Sequence, residues 1–161
     1  MTNKSFYSHF EGSSFIKRLQ DFIAQNQSTK IKGFTGSSLS FYFSTIIKRQ
    51  SKPTLFIFNS KEDSLYFLND IETLNPDKQI FYFPETTKEP YSDKEPNNYN
   101  LLQRTELIEH LNFSKNKNSI IVTHLRAISE NQVNKNELIK SSIKLKVDQN
   151  ISFDKLNEQL F

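Results

Sequence analysis

The sequence predicts an α/β domain in which a parallel β-sheet is covered by helices on both faces. Four short strand-like segments alternate with stretches whose apolar residues recur at helical spacing. Strands that are apolar on both sides are typical of parallel sheets buried between helices. A chain of 161 residues can form one domain with its own core and the start of a second.

The first helix is predicted directly after Ser13 and Ser14, either of which can cap it. Its apolar positions follow helical spacing and are Phe15, Ile16, Leu19, Phe22 and Ile23. The segment TKIKGF, residues 29–34, is predicted as a short strand that leads into a glycine turn. A second helix is predicted over residues 37–49, with Leu39, Phe43, Ile46 and Ile47 on one face.

Three further strands and a third helix follow. PTLFIFN, residues 53–59, is a strand, and Ser60 with Asp63 forms a capping-box-like helix start behind it. QIFYFP and SIIVTH, residues 79–84 and 119–124, are the third and fourth strands. The helices are expected to be right-handed crossovers between these strands.

Residues 84–100 interrupt this alternation with three prolines and no aliphatic residue. We predict a long irregular loop there, at the carboxyl end of the third strand, where open α/β sheets usually bind ligands. Loops of this length are usually functional or disordered.

A second change of pattern begins near Asn131. IKLKV, residues 143–147, alternates strictly and predicts a half-exposed strand. Ser152 can cap a following helix, with Ile151 stapled onto Leu156. We therefore predict a first domain over residues 1–130 and the start of a second, small α+β lobe over residues 131–161.

Composition excludes several classes of protein. The absence of cysteine excludes disulfides and thiolate metal sites, and a net charge of +3 is too scattered to indicate a nucleic-acid surface. The densest basic stretch, residues 135–146, is interpreted as a solvated face. No signal pattern or long apolar run is present, so the chain is expected to be cytoplasmic, without membrane contact.

The glycine turn is similar to a phosphate-binding loop, which reads G-x-x-x-x-G-K-[ST]. Gly33 stands at the first glycine, while Ser38 and Leu39 replace the second glycine and the lysine. Gly33 could serve the turn, Gly36 lies within the loop, and Ser40 could hold Mg²⁺. Without the lysine, a charge-assisted contribution of about 1.5–3 kcal/mol is lost. Leu39 also falls in register with the apolar face of its helix and is expected to pack inward.

Other catalytic chemistry is weakly represented. Hydrolysis needs a strand-end carboxylate for Mg²⁺, and only Glu85 lies at such a position. His9, His110 and His124 lack the spacing of a metal site. Glu106 and Glu109, near His110, are interpreted as a solvated helix face. We therefore expect no catalytic residue, no metal and no cofactor in this chain.

Several of these motifs, in this order, resemble the transcription-repair coupling factor (Mfd) family. GFTGSSLSF is similar to the G-V-T-G-S-G-K-T-F loop of the excinuclease protein UvrB, to which that family is related. An aromatic strand end at Phe83, the pair Pro90-Tyr91 with Asp93 displaced by one, and Arg104 leading a helix follow in order. SIIVTHLRAIS and the residues after it resemble the passage into the next lobe, with Asp148 in place of a glycine.

The resemblance implies a degenerate, helicase-like first lobe that acts as a scaffold and interaction domain in nucleotide excision repair. In that family, ATP and Mg²⁺ belong to separate motor domains, which translocate on DNA and displace stalled RNA polymerase. The excinuclease protein UvrA is contacted through the adjoining second lobe, and other contacts are with domains of the same protein. The alternative left open by the residues is an independent small nucleotide- or nucleic-acid-binding domain.

Overall fold

The computed structural model describes residues 12–48, 50–86, 98–115 and 118–132, together with seven positions beyond them. The chain divides into two compact units, Met1–Glu130 and Asn131–Phe161. The predicted strand at residues 143–147 and the staple of Ile151 on Leu156 lie outside the described residues. The nature of the second lobe stays a prediction.

The described sheet has three parallel strands in the order β1-β3-β2. They are β1 (Thr54–Phe58), β2 (Gln79–Phe83) and β3 (Ser119–His124). All six residues of β3 are buried, because this strand has a neighbour on each side and helices on each face. The apolar runs of the last three predicted strands are thus confirmed.

Five helices are described: α1 (Ser14–Ala24), α2 (Ser38–Ile47), α3 (Lys61–Leu74), α4 (Asn98–Phe113) and α5 (Leu125–Ser129). Helix α3 connects β1 to β2, and α4 connects β2 to β3. Along the strand order, the connection from β1 to β2 and the connection from β2 to β3 run in opposite directions. Their helices also pack on opposite faces of the sheet, so the two crossovers have the same hand.

Two apolar cores hold the sheet between these helices. On one face, strand residues such as Phe56 and Val122 pack against α2 and α3. On the other face, Phe81, Phe83 and Ile121 pack against α4 and α5. Helix α1 packs on the outer side of α2 through a third, smaller cluster. The arrangement is a small α/β domain with three layers, as the sequence predicts.

The prediction of a strand at residues 29–34 was wrong. These residues have no regular structure, and β1 pairs with a strand on one side only among the described residues. Ile31 instead packs with the α1–α2 cluster, and the ring of Phe34 lies 5.5 Å from that of Tyr42. Ile31 is a single aliphatic residue between two lysines, so the segment offers little apolar surface to a sheet. It packs against the helices instead.

One boundary and one helix also differ from the prediction. Helix α4 begins at Asn98, so the last three residues of the predicted loop are helical, and residues 87–97 are outside the description. Helix α5 follows β3 directly and was not predicted. In the described part of the chain, no helix has the length and apolarity needed to span a bilayer.

Candidate functional site

The glycine turn precedes α2 and satisfies part of its own hydrogen bonding. Gly33 and Gly36 have φ of 98° and 51°, in the left-handed region that glycine adopts at little cost. The Oγ atom of Ser38 accepts a hydrogen bond from the Thr35 backbone N–H at 2.9 Å. In a phosphate-binding loop such amides point to the ligand, whereas here one of them is bound to the chain itself.

Leu39 stands where a phosphate-binding loop has its lysine. Its side chain is half-buried and packs against the core cluster on the α2–α3 face, which includes Ile47 and Phe67. The predicted inward packing of Leu39 is confirmed. The position therefore contributes to the core and presents no cation at the loop.

Ser40, the residue that could hold Mg²⁺, is directed at a neighbouring helix. It is buried, and its Oγ donates to Asp70 Oδ2 on α3 at 3.0 Å. One turn later Ser44 Oγ donates to Asn75 Oδ1, also at 3.0 Å. The two hydroxyls thus connect α2 to α3.

An open cleft of about 430 Å³ lies beside the loop, between α2, α3 and the end of β1. Its lining includes Gly36, Ser37, Leu39, Ser40, Phe58, Asp63, Tyr66, Phe67 and Asp70. Among the described residues of that lining, only two aspartates are charged, and neither forms an ion pair with another described residue. The electrostatic character of this cleft is opposite to that of a phosphate site.

Glu85, the strand-end acid, is surrounded by basic side chains. Its Oε2 lies 3.0 Å from Arg126 Nε and 3.7 Å from His124 Nε2, and its Oε1 lies 3.7 Å from Lys61 Nζ. The Glu85 side chain is only 12% exposed. Its carboxylate is therefore committed to ion pairs, and it does not offer the free carboxylate that a Mg²⁺–nucleotide site requires.

Tyr82 lies beneath this cluster in a small buried polar network. Its Oη is 3.3 Å from Ser64 Oγ and 3.5 Å from His124 Nδ1. Burial raises the pKa of the Tyr82 phenol, while the contact with Ser64 opposes that change and the charge of Glu85 adds to it. The network fixes the rings of Tyr82 and His124 under the carboxyl edge of the sheet.

Arg104 and Glu130 form a buried ion pair on the other face of the sheet. Arg104 Nη1 lies 2.8 Å from Glu130 Oε2 and also donates to the Pro84 carbonyl at 2.6 Å. The guanidinium stacks on the ring of Phe83, 4.1 Å from its centroid. Glu130 in turn accepts hydrogen bonds from the backbone N–H and hydroxyl of Thr86. Burial lowers the pKa of Arg104, and the Glu130 charge counteracts this.

The structure brings together some of the predicted residues. Gly36, Leu39 and Ser40 line the cleft, while Gly33 and Ser38 do not appear in its lining. Glu106 and Glu109 are exposed, as predicted for a solvated face. The ring of His110 lies 4.7 Å from that of Phe81, and His9 is outside the described residues.

Sequence reasoning did not assign Asp63 and Asp70 to this site, and it considered Asp63 only as part of a helix start. They lie seven positions apart in α3, which places them on one face of the helix, two turns apart. That spacing was visible in the sequence. The sequence did not show that residues of α2 line the opposite side of the cleft. Among the described residues, no group of three His, Asp or Glu could hold a metal ion.

Comparison of the chain with protein-family models, with curated proteins and with solved structures finds no match. The resemblance to the coupling-factor family therefore rests on the sequence motifs, and the chemistry of the site rests on its own geometry.

Proposed function

We propose that this chain is a non-catalytic scaffold and interaction module, the N-terminal lobe of a transcription-repair coupling factor. The whole protein would be a DNA translocase that uses ATP in separate motor domains, displaces stalled RNA polymerase and recruits nucleotide excision repair proteins. In this proposal the present lobe contributes binding surfaces and no chemistry.

The observation that carries the proposal is the placement of Leu39. The position that needs a lysine for phosphate binding holds an aliphatic side chain packed against the core. A nucleotide would lose the cation at its β- and γ-phosphates, and none of the described side chains that line the adjacent cleft is basic.

The remaining groups of the degenerate site support the same conclusion. Ser40 donates its hydroxyl proton to Asp70 on the neighbouring helix, and the Glu85 carboxylate is paired with basic side chains, so this carboxylate is already engaged within the chain. A triphosphate would also face the carboxylates of Asp63 and Asp70, which repel it. The family part of the proposal is supported by the order of the loop, strand-end and Arg104 motifs.

The proposal is tested by calorimetric titration of the chain with ATP and with ADP in the presence of Mg²⁺. We expect no binding heat up to millimolar nucleotide, while a protein with an intact phosphate-binding loop, measured alongside, gives a normal isotherm. A micromolar dissociation constant would overturn the proposal and favour an independent nucleotide-binding domain.

The family assignment has a separate test in the coding sequence that follows Phe161. Motor motifs of a DNA translocase downstream of a second lobe would support the coupling-factor proposal. An unrelated continuation would contradict it while leaving the non-catalytic character of this lobe intact.

A further inference from the structure

A groove of about 220 Å³ lies between α1 and residues 29–32, the segment that precedes the glycine turn. Leu19 and Ile31 give it an apolar floor, because both belong to the cluster that packs α1 onto α2. The described lining of the groove is Phe15, Arg18, Leu19, Phe22, Thr29, Lys30, Ile31 and Lys32. It shares no residue with the described lining of the cleft beside the glycine turn.

Three cations converge on this groove. Arg18, Lys30 and Lys32 are exposed, and none of them forms an ion pair with another described residue. The described lining contains no acidic side chain, although the chain has 18 acidic residues against 21 basic ones. Arg18 belongs to α1 and the two lysines to the segment after it, so the fold concentrates charge that is scattered along the sequence.

Two phenyl rings line the same groove. Phe15, Arg18 and Phe22 follow one another at spacings of three and four residues, which places them on one face of α1. The side chain of Phe15 is 36% exposed, and T-shaped contacts with Phe34 and Tyr42 hold its ring in place. A ring that is fixed and partly open to solvent can stack on a planar ligand with little loss of conformational entropy.

We propose that this groove binds single-stranded nucleic acid, with bases stacked on Phe15 and Phe22 and phosphates paired with the three cations. A single strand supplies both complementary groups, because its backbone carries phosphates and its bases are free to stack on aromatic side chains. Every base has a face that can stack, so binding tolerates changes of nucleotide sequence.

The two rings favour a single strand over other polyanions. An acidic peptide would pair with the cations but has no planar bases for Phe15 and Phe22. A duplex keeps the faces of its bases within its own stack, so the rings would find no partner there. The open shape of the groove also suits a chain that runs past it better than a small ligand, because small-ligand sites enclose most of their ligand.

The test is the fluorescence anisotropy of a labelled thymidine oligomer of about 12 nucleotides, a length within the range of single-strand site sizes. The oligomer is titrated with the 161-residue chain at low salt. We expect it to bind more tightly than a duplex of the same length and more tightly than a poly-glutamate peptide of matched charge. Equal or tighter binding of either competitor, or no binding of the oligomer, would overturn the proposal.

The role of the cations is read from the dependence on salt. Lys30→Gln/Lys32→Gln should reduce the slope of log Kd against log salt concentration by about 1.4, since each phosphate contact to a single strand contributes about 0.7. The matched control Lys52→Gln/Lys115→Gln removes two exposed charges outside the described lining and should leave the slope unchanged. Equal reduction by both variants would show attraction to net charge alone and contradict the site.

The role of the rings has a separate readout. Phe15→Leu keeps an apolar side chain in the groove and removes the aromatic face, so the oligomer should bind about fivefold more weakly while binding of the peptide is unchanged. Phe22→Leu tests the same role at the second ring and replaces the first variant if circular dichroism shows that it does not fold. Unchanged affinity for the oligomer in the folded variants would contradict stacking.

This inference goes beyond the proposed function, and the two can fail separately. In an NMR titration of the ¹⁵N-labelled chain, the oligomer should shift amides within residues 15–32. Shifts at residues 36–40 instead would place the strand at the glycine turn and overturn the inference. ATP with Mg²⁺, added to the same sample, tests the function: shifts at residues 36–40 would overturn it, while the groove would stand on the response of residues 15–32 to the oligomer.

Discussion

At the scale of single residues, the described structure is shaped by polar side chains that are buried with partners. Arg104, Glu130 and Thr86 form one such group, and Glu85 with its basic neighbours forms another. A buried charge without its partner is costly, whereas a paired one is close to neutral in its effect on stability. These groups therefore add little net stability, but they disfavour conformations in which a partner is lost.

Arg104→Met should destabilise the fold by about 3 kcal/mol, because Glu130 loses the cation that compensates its buried charge. The measurement is urea denaturation followed by circular dichroism. The double variant Arg104→Met/Glu130→Gln should recover part of that loss, since it removes the unpaired charge. A double variant that is less stable than the single one would contradict the role assigned to the pair.

Because of Tyr82, the free energy of unfolding depends on pH in the alkaline range. Its pKa is raised by burial above the ordinary value of 10.0, so the unfolded state loses the phenol proton first as pH rises. Stability attributable to this group is complete below pH 10.0 and falls as pH rises from there through the folded-state pKa.

Tyr82→Phe should therefore flatten the decline of the urea midpoint above pH 10.0, while lowering stability at neutral pH through loss of the contact with Ser64. The matched control is Tyr66→Phe, at an exposed ring, which should leave the alkaline decline as it is. An unchanged decline in Tyr82→Phe would refute the assignment.

At the scale of secondary-structure elements, local signals determine where helices begin. Ser13 Oγ accepts from the Phe15 N–H, and Ser60 Oγ accepts from the Asp63 N–H at 3.1 Å. Both caps were legible in the sequence because capping depends on residues two or three positions apart. Helix α3 also carries Glu62 and Asp63 in its first turn, where the helix dipole favours negative charge.

Ser60→Ala should lower the free energy of unfolding by about 1 kcal/mol, because the first turn of α3 loses its cap. Ser60→Asp retains an acceptor at the same place and should be nearly neutral. Chemical denaturation of the two variants side by side gives the comparison. Equal losses in both would show that the serine acts through something other than capping.

At the scale of the whole domain, β3 is the centre of the structure. It pairs with β1 and β2, is buried along its whole length, and contributes to the cores on both faces. β1, by contrast, has one paired side in the described structure, and Leu55 and Ile57 are about half exposed on its outer face. Stability should therefore decrease from the central strand toward this edge.

Native-state hydrogen exchange should show that difference directly. The amides of β3 are expected to exchange only through global unfolding, whereas several of those in β1 should exchange through smaller openings. Comparable protection in the two strands would indicate that the edge of β1 is covered in solution.

The sequence by itself determined the local elements: the helical faces, a cap at Ser13 or Ser14, the cap at Ser60, three of the four strands and the inward packing of Leu39. These features depend on residues a few positions apart, so periodicity and side-chain chemistry are sufficient to predict them. The tertiary structure decided the order β1-β3-β2, the exclusion of residues 29–34 from the sheet and the pairing of Arg104 with Glu130.

The candidate site divides in the same way. The absence of the lysine can be recognised in one short motif. The basic side chains around Glu85, and the cleft that Asp63 and Asp70 line, bring together residues from separate elements. Which side chains meet across a sheet edge depends on the packing of whole helices and strands. For that reason the degeneracy of the phosphate-binding loop could be predicted from the sequence, and the chemistry of the cleft beside it could not.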